Sequence, residues 1–145
     1  MSDAVSPEAL HTGHCLCGAV RFTTRGPLRD VIACHCSQCR RQTGHFFAAT
    51  SVADDRLEIE GGDSLSWFRA TPEAARGFCC ICGSALFWKY DGETATSIGA
   101  GAFDAHTGLK LTMHIYCADK SDYYDIADDL PRYPLGSPGL VVAGG

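Results

Sequence analysis

The chain has 145 residues, of which 46% are hydrophobic and 20% charged, and its formal net charge is −5. That length suits one domain, and no run approaches the roughly 18–20 apolar residues that a membrane-spanning helix needs. The acidic balance argues against nucleic acid, which is bound through clustered Lys and Arg meeting phosphate.

Residues 1–8 show neither a basic n-region nor an apolar h-region, so a cytoplasmic location is expected, with residues 1–12 as an N-terminal tail. Period-two alternation and β-branched or aromatic content predict strands at residues 19–24, 31–34, 45–52, 56–60 and 65–69, and again at 84–90, 95–100 and 111–117. Gly61-Gly62-Asp63 and Asp91-Gly92 read as turns between paired runs. Helical turns are expected only at 37–43 and 104–108. The proline-rich end sustains neither a helix nor a central strand, so residues 134–145 are read as a second tail. Late acidic residues, Asp119, Asp122, Asp125, Asp128 and Asp129, read as a solvated face. The prediction is an all-β domain over residues 13–133 with cysteine clusters at strand ends.

Nine cysteines stand in the chain. In a reducing compartment an odd count with C-x-C and C-x-x-C spacing points to metal rather than to disulfides. Three clusters carry seven cysteines at ligand spacing, with Cys80 inside the third as an extra: Cys15-Leu16-Cys17-Gly18, Cys34-His35-Cys36-Ser37-Gln38-Cys39, and Cys79-Cys80-Ile81-Cys82-Gly83. The first and third supply two thiolates each, and together they make the closed tetrahedral shell of a structural zinc. The middle cluster supplies three, which leaves an open position of the kind a catalytic zinc keeps. An open, working site should lie at the mouth of a cleft. Cys80 and Cys117 are surplus and expected to be non-ligands.

Three motifs carry a resemblance to a known family: Gly13-His14-Cys15-Leu16-Cys17-Gly18-Ala19-Val20, Cys34-His35-Cys36-Ser37-Gln38-Cys39-Arg40-Arg41, and Phe78-Cys79-Cys80-Ile81-Cys82-Gly83-Ser84. His114-Ile115 and the Lys120 to Tyr124 stretch add a weaker match. On these residues the chain resembles the glutathione-dependent formaldehyde-activating enzymes, also called the centromere-protein-V/GFA domain family. The resemblance implies a β-rich fold of the Mss4-like or β-tent type. It also implies one zinc on Cys15, Cys17, Cys79 and Cys82, and a second, catalytic zinc on Cys34, Cys36 and Cys39. The implied reaction is a carbon–sulfur lyase type that adds the sulfur of glutathione to formaldehyde or a related aldehyde.

Such a step needs proximity and a thiolate more than a strong base. Glutathione carries two carboxylates, and Arg40 and Arg41 are candidates to meet them. His35 is expected to point away from the metal, with a proton relay as the alternative. His114, Gln38 and Ser84 are open between structural and site roles. Phe46, Phe47, Trp67, Phe87 and Trp88 read as core before substrate walls. Two other functions stay open: a zinc-stabilised binding module without catalysis, and a redox sensor using the middle trio.

Overall fold

The computed structural model describes residues 9–138. Three strands, β1 (Leu10–His14), β2 (Arg21–Arg25) and β5 (Leu57–Glu60), form a small antiparallel sheet in the order β1-β2-β5. The larger sheet is built from β3 (Val31–Cys34), β4 (Phe47–Ala53), β6 (Leu65–Thr71), β7 (Ala74–Cys79), β8 (Ala85–Tyr90), β9 (Ala95–Gly99) and β10 (Leu111–Ile115). Its order is β10-β3-β4-β9-β8-β7-β6, antiparallel except where β10 runs parallel to β3. The architecture is all-β with one short helix, α1 (Ser37–Thr43), as expected at that position. No helix among the described residues is long and apolar enough to cross a membrane.

Local chemistry explains the elements that bear on the site. All four β3 residues are buried, so a continuous apolar run replaces alternation and the strand is covered on both faces. Immediately after it, α1 starts at Cys36, whose sulfur accepts the Cys39 N–H at 3.3 Å. It stops at Gly44, which takes φ 86° and donates its N–H to the Arg40 carbonyl at 2.9 Å.

Two apolar clusters fill the domain, and each contains one of the sulfur sites. The first gathers Val20, Phe22, Leu86, Phe87, Ile98 and Phe103 around Cys15 and Cys79. Phe22 meets Phe87 and Phe103 edge to face, with centroids 5.7 and 5.1 Å away. The second packs Ile32, Ile115 and Tyr116 against Cys34, Cys36 and Cys39.

Two strands and two boundaries differ from expectation. β1 begins at Leu10, inside the stretch read as tail, and pairs along its length with β2. β7 was not expected, because Ala74-Ala75-Arg76-Gly77-Phe78 shows no alternation of large apolar residues. Residues 104–108 form no helix. At the other end the chain runs along β10 as far as Leu135, whose carbonyl accepts the Tyr116 N–H at 3.0 Å, beyond the expected limit at 133.

Gly61 ends β5 in the left-handed region, at φ 79°, and a Cβ there would sit 1.8 Å from the Ala19 carbonyl oxygen. Gly61→Ala should therefore lower stability by about 2–4 kcal/mol, from left-handed strain plus backbone displacement. At Gly62 a Cβ meets nothing within 4 Å, and Gly62→Ala should change stability by no more than about 0.5 kcal/mol. Urea unfolding of the two variants checks the contrast.

Candidate metal centre and its surroundings

The first and third cysteine motifs fold into matching turns. In one, the Cys15 N–H donates to the Val20 carbonyl, and Gly18 takes φ 82° and bonds back to the Cys15 carbonyl. In the other, Cys79 N–H donates to Ser84 and Gly83, at φ 81°, bonds back to Cys79. Each turn aims backbone N–H groups at sulfur: Val20 at Cys15 Sγ (3.3 Å), and Ile81 and Cys82 at Cys79 Sγ (3.4 Å each). Such donors disperse thiolate charge.

The turns meet across 62 residues of sequence. Cys15, Cys17, Cys79 and Cys82 bring their sulfurs within 4.8 Å of one another. The Cys15–Cys17 and Cys17–Cys79 sulfurs are each 3.7 Å apart. A tetrahedron with 2.3 Å metal–thiolate bonds has edges of about 3.8 Å, so the cage has the size a tetrahedral thiophilic ion requires. Ser84, open to either role in the sequence, is part of this cage. Its hydroxyl accepts the Leu16 N–H at 3.0 Å and lies 3.2 Å from Cys82 Sγ, tying one turn to the other. Hydrogen bonding from Ser84 holds the Cys82 thiol down to about 5.

Cys34, Cys36 and Cys39 form the second group, with sulfurs again within 4.8 Å. The end of β3 supplies the first, the turn into α1 the second, and the first turn of the helix the third. The expected cleft mouth is not there: these cysteines are 6%, 0% and 2% exposed. Packing of β10 and Tyr116 over the trio is the reason. In place of a cleft, an inner cavity of about 50 Å³ touches Cys34 and Cys39, with Ile32, Phe47, Trp88 and Ile115 among its walls. Hydrogen bonds from Cys34 and then Cys39, with the charge of Arg76 added, hold Cys36 down to about 2. The trio thus keeps one sulfur anionic.

Arg76 is the residue the sequence did not reveal. It sits in mid-β7 and is 4% exposed. Its Nη1 donates to Cys39 Sγ at 3.6 Å and to Gln42 Oε1 at 3.2 Å, and its Nη2 reaches Cys36 Sγ at 4.0 Å and Gln38 Oε1 at 3.2 Å. Among the described residues no carboxylate pairs with it. A buried guanidinium needs an anion, and the sulfur trio is the anion present. Gln38 and Gln42, one turn apart on α1, fix its plane.

Of the two arginines expected to meet a co-substrate, Arg41 is exposed and lines a groove of about 590 Å³ shared with Gln38, Gln42, Phe68, Phe78 and Arg76. Arg40 is half-buried, with its Nε enclosed and unpartnered. Cys80 and Cys117 join neither sulfur group. Trp67, read as core, is 45% exposed, whereas Phe47 and Trp88 face the inner cavity.

The two histidines form one chain of hydrogen bonds. Asp128 accepts from His114 Nε2–H at 2.9 Å, which leaves His114 Nδ1 bare to accept from His35 Nε2–H, also at 2.9 Å. His35 Nδ1 then accepts the Tyr124 hydroxyl. Burial, followed by the nearby His114, pushes His35 down to about 4, which keeps that ring neutral within the chain. His35 points away from the sulfurs and pins the backbone between Cys34 and Cys36; its own N–H donates to Ile115 at 2.9 Å. Asp128 is exposed, as expected of the late acidic residues, and also anchors this chain through His114.

Cys82→Ser should remove one of the four sulfurs of the cage and, where the cage holds a structural metal, leave protein that does not fold, since a structural zinc contributes on the order of 10 kcal/mol or more. The double variant Cys80→Ala/Cys117→Ala should fold with its metal content unchanged. Circular dichroism and metal analysis of both variants check the assignment.

Residues 10–119 match the family model described as glutathione-dependent formaldehyde-activating enzyme. A Halomonas elongata protein named for the same family is 36% identical, with 79% of each chain covered. A Rhodobacter sphaeroides protein of known crystal structure shares the fold at a TM-score of 0.56 and 24% identity, over 66% of this chain and 89% of that one. Motifs, sulfur geometry and family match coincide on one stretch of sequence, and the chain belongs to the glutathione-dependent formaldehyde-activating enzyme family.

Proposed function

We propose that Cys15, Cys17, Cys79 and Cys82 hold a structural zinc, that Cys34, Cys36 and Cys39 hold a second zinc with one open position, and that the protein joins glutathione sulfur to formaldehyde. The product is S-(hydroxymethyl)glutathione, which makes the reaction a carbon–sulfur lyase type run in the bond-forming direction. The observation that carries this reading is the inequality of the two sulfur sites. Four sulfurs close a cage, while three lie against a cavity and a buried guanidinium. The family and the Halomonas relative bear names that specify the two substrates.

When bound, zinc lowers the pKa of an added thiol so that its sulfur is nucleophilic at neutral pH. The protein's part is charge, position and exclusion of water. Three thiolates around a dication leave one excess negative charge, and Arg76 balances it inside the domain. The inner cavity has room for about three water molecules, which suits a one-carbon aldehyde and not a tripeptide. Glutathione therefore enters by its sulfur, with its body in the groove along α1. There Arg41 and the amide nitrogens of Gln38 and Gln42 offer donors to its carboxylates. Arg40 contributes less to this contact, being half-buried. A reducing, cytoplasmic setting belongs to the proposal, because the seven sulfurs serve as ligands only when reduced.

Cys36→Ser should lower zinc from two to one per chain and abolish glutathione binding while the fold persists, since the closed cage is untouched. Metal analysis and calorimetric titration of glutathione against parent and variant test this. A variant that binds glutathione as the parent does would displace the catalytic reading in favour of a zinc-stabilised binding module.

A further inference from the structure

Strand register sets three polar side chains in a row beside the sulfur trio. Arg76 lies opposite Trp88 across β7 and β8, and Trp88 lies opposite Ser97 across β8 and β9. Cross-strand partners share a sheet face, and all three line the inner cavity that touches Cys34 and Cys39. Trp88 is 9% exposed, and its indole Nε1–H has no partner among the described residues. The same holds for Arg76 Nε–H, although both Nη atoms of that guanidinium are engaged. Buried donors of this kind are costly unless an acceptor comes to them. Ser97 bonds to neither donor, and the apolar walls of Ile32, Phe47, Ala49 and Ile115 offer no acceptor.

We propose that Trp88 Nε1–H and Arg76 Nε–H form the carbonyl-binding subsite of the cavity, holding the oxygen of an unhindered one-carbon aldehyde. This inference rests on the function proposed above and names the groups that receive its electrophile. When sulfur attacks, the S–C bond forms and the C=O π pair moves onto oxygen. That oxygen then takes up, through solvent, the proton the thiol gave up, and nothing else is consumed. Donors fixed where the negative charge develops, among apolar walls, stabilise the transition state more than the bound aldehyde. The volume of about 50 Å³ sets the size limit.

The experiment uses the zinc-loaded protein and two readouts. The chain contains two tryptophans, Trp67 and Trp88, so their ¹⁵N-labelled indole resonances are assigned with one variant. Formamide is the probe, a carbonyl of nearly the aldehyde's size that does not react with thiolate. It should shift the Trp88 indole N–H downfield in a saturable way and leave exposed Trp67 unmoved, while the larger propionamide should shift neither. The second readout is exchange of ¹³C-formaldehyde with its glutathione adduct, above the spontaneous rate. Trp88→Phe keeps the ring and removes the donor; it should lower this rate about 100-fold with glutathione affinity changed less than about twofold. A Trp88 indole that ignores formamide overturns the subsite, as does a variant that exchanges at the parental rate while binding glutathione. A parent that binds no glutathione overturns the functional reading, and this inference with it. Should Trp88→Phe fail to fold, the formamide titration on the parent decides.

Discussion

Like charges at short range are the constraint on which this structure turns. Four sulfurs in the first cage, two of whose edges are 3.7 Å, and three within 4.8 Å in the second, cannot all be thiolates without a positive charge among them. The cage answers this with geometry: two turns of the same form, each with a left-handed glycine, present N–H groups to sulfur and leave a cation-sized centre. Because Cys15 lies between β1 and β2 of the small sheet and Cys79 ends β7 of the large one, that centre is also the joint between sheets. Phe22, Phe87 and Phe103 pack around the joint, so apolar burial and ligand geometry reinforce one another.

The second site meets the same constraint differently. Its sulfurs come from six consecutive residues and need no distant strand to assemble them, yet they lie deeper than the cage. Their surroundings carry a positive charge of their own, on a strand far away in sequence, held in plane by two glutamines of α1. A guanidinium placed this way suits an anionic cluster that must accept another ligand, whereas a cage with its shell complete has no use for one. On the function proposed above, the burial of the trio would also separate two tasks spatially, with the small cavity for the reacting atoms and the groove outside it for the rest of a larger molecule.

What the sequence revealed follows from how local each feature is. The sulfur clusters were legible because a metal dictates spacing within a few residues, and β3 and α1 were legible because burial and capping are short-range. β1 and β7 were not, since Leu10–His14 and Ala74–Cys79 hold their places through pairing and small size rather than through alternation. Arg76 carried no signal, since its strand was itself not expected; nothing near it in the chain says that its anion will come from residues 36 and 39. Trp88 was read as core, and it is buried, but its unpartnered N–H becomes visible only when three strands are in register. The Asp128–His114–His35 chain was hidden for the same reason, its members being 14 and 79 residues apart.

The parallel pairing of β10 with β3 has a kinetic meaning. The sulfur trio is complete by Cys39, whereas the strand that seals it arrives more than seventy residues later and is itself held by the chain running to Leu135. Three thiolates on one turn and a short helix, left uncovered, would release and capture ions freely. Under β10 they do so only when that outer strand lifts, and with it the His35–Ile115 hydrogen bond. On the proposed function, the residence time of an ion at the trio would therefore be a property of the edge of the sheet, set by how often a peripheral parallel strand opens rather than by the strength of three sulfur bonds.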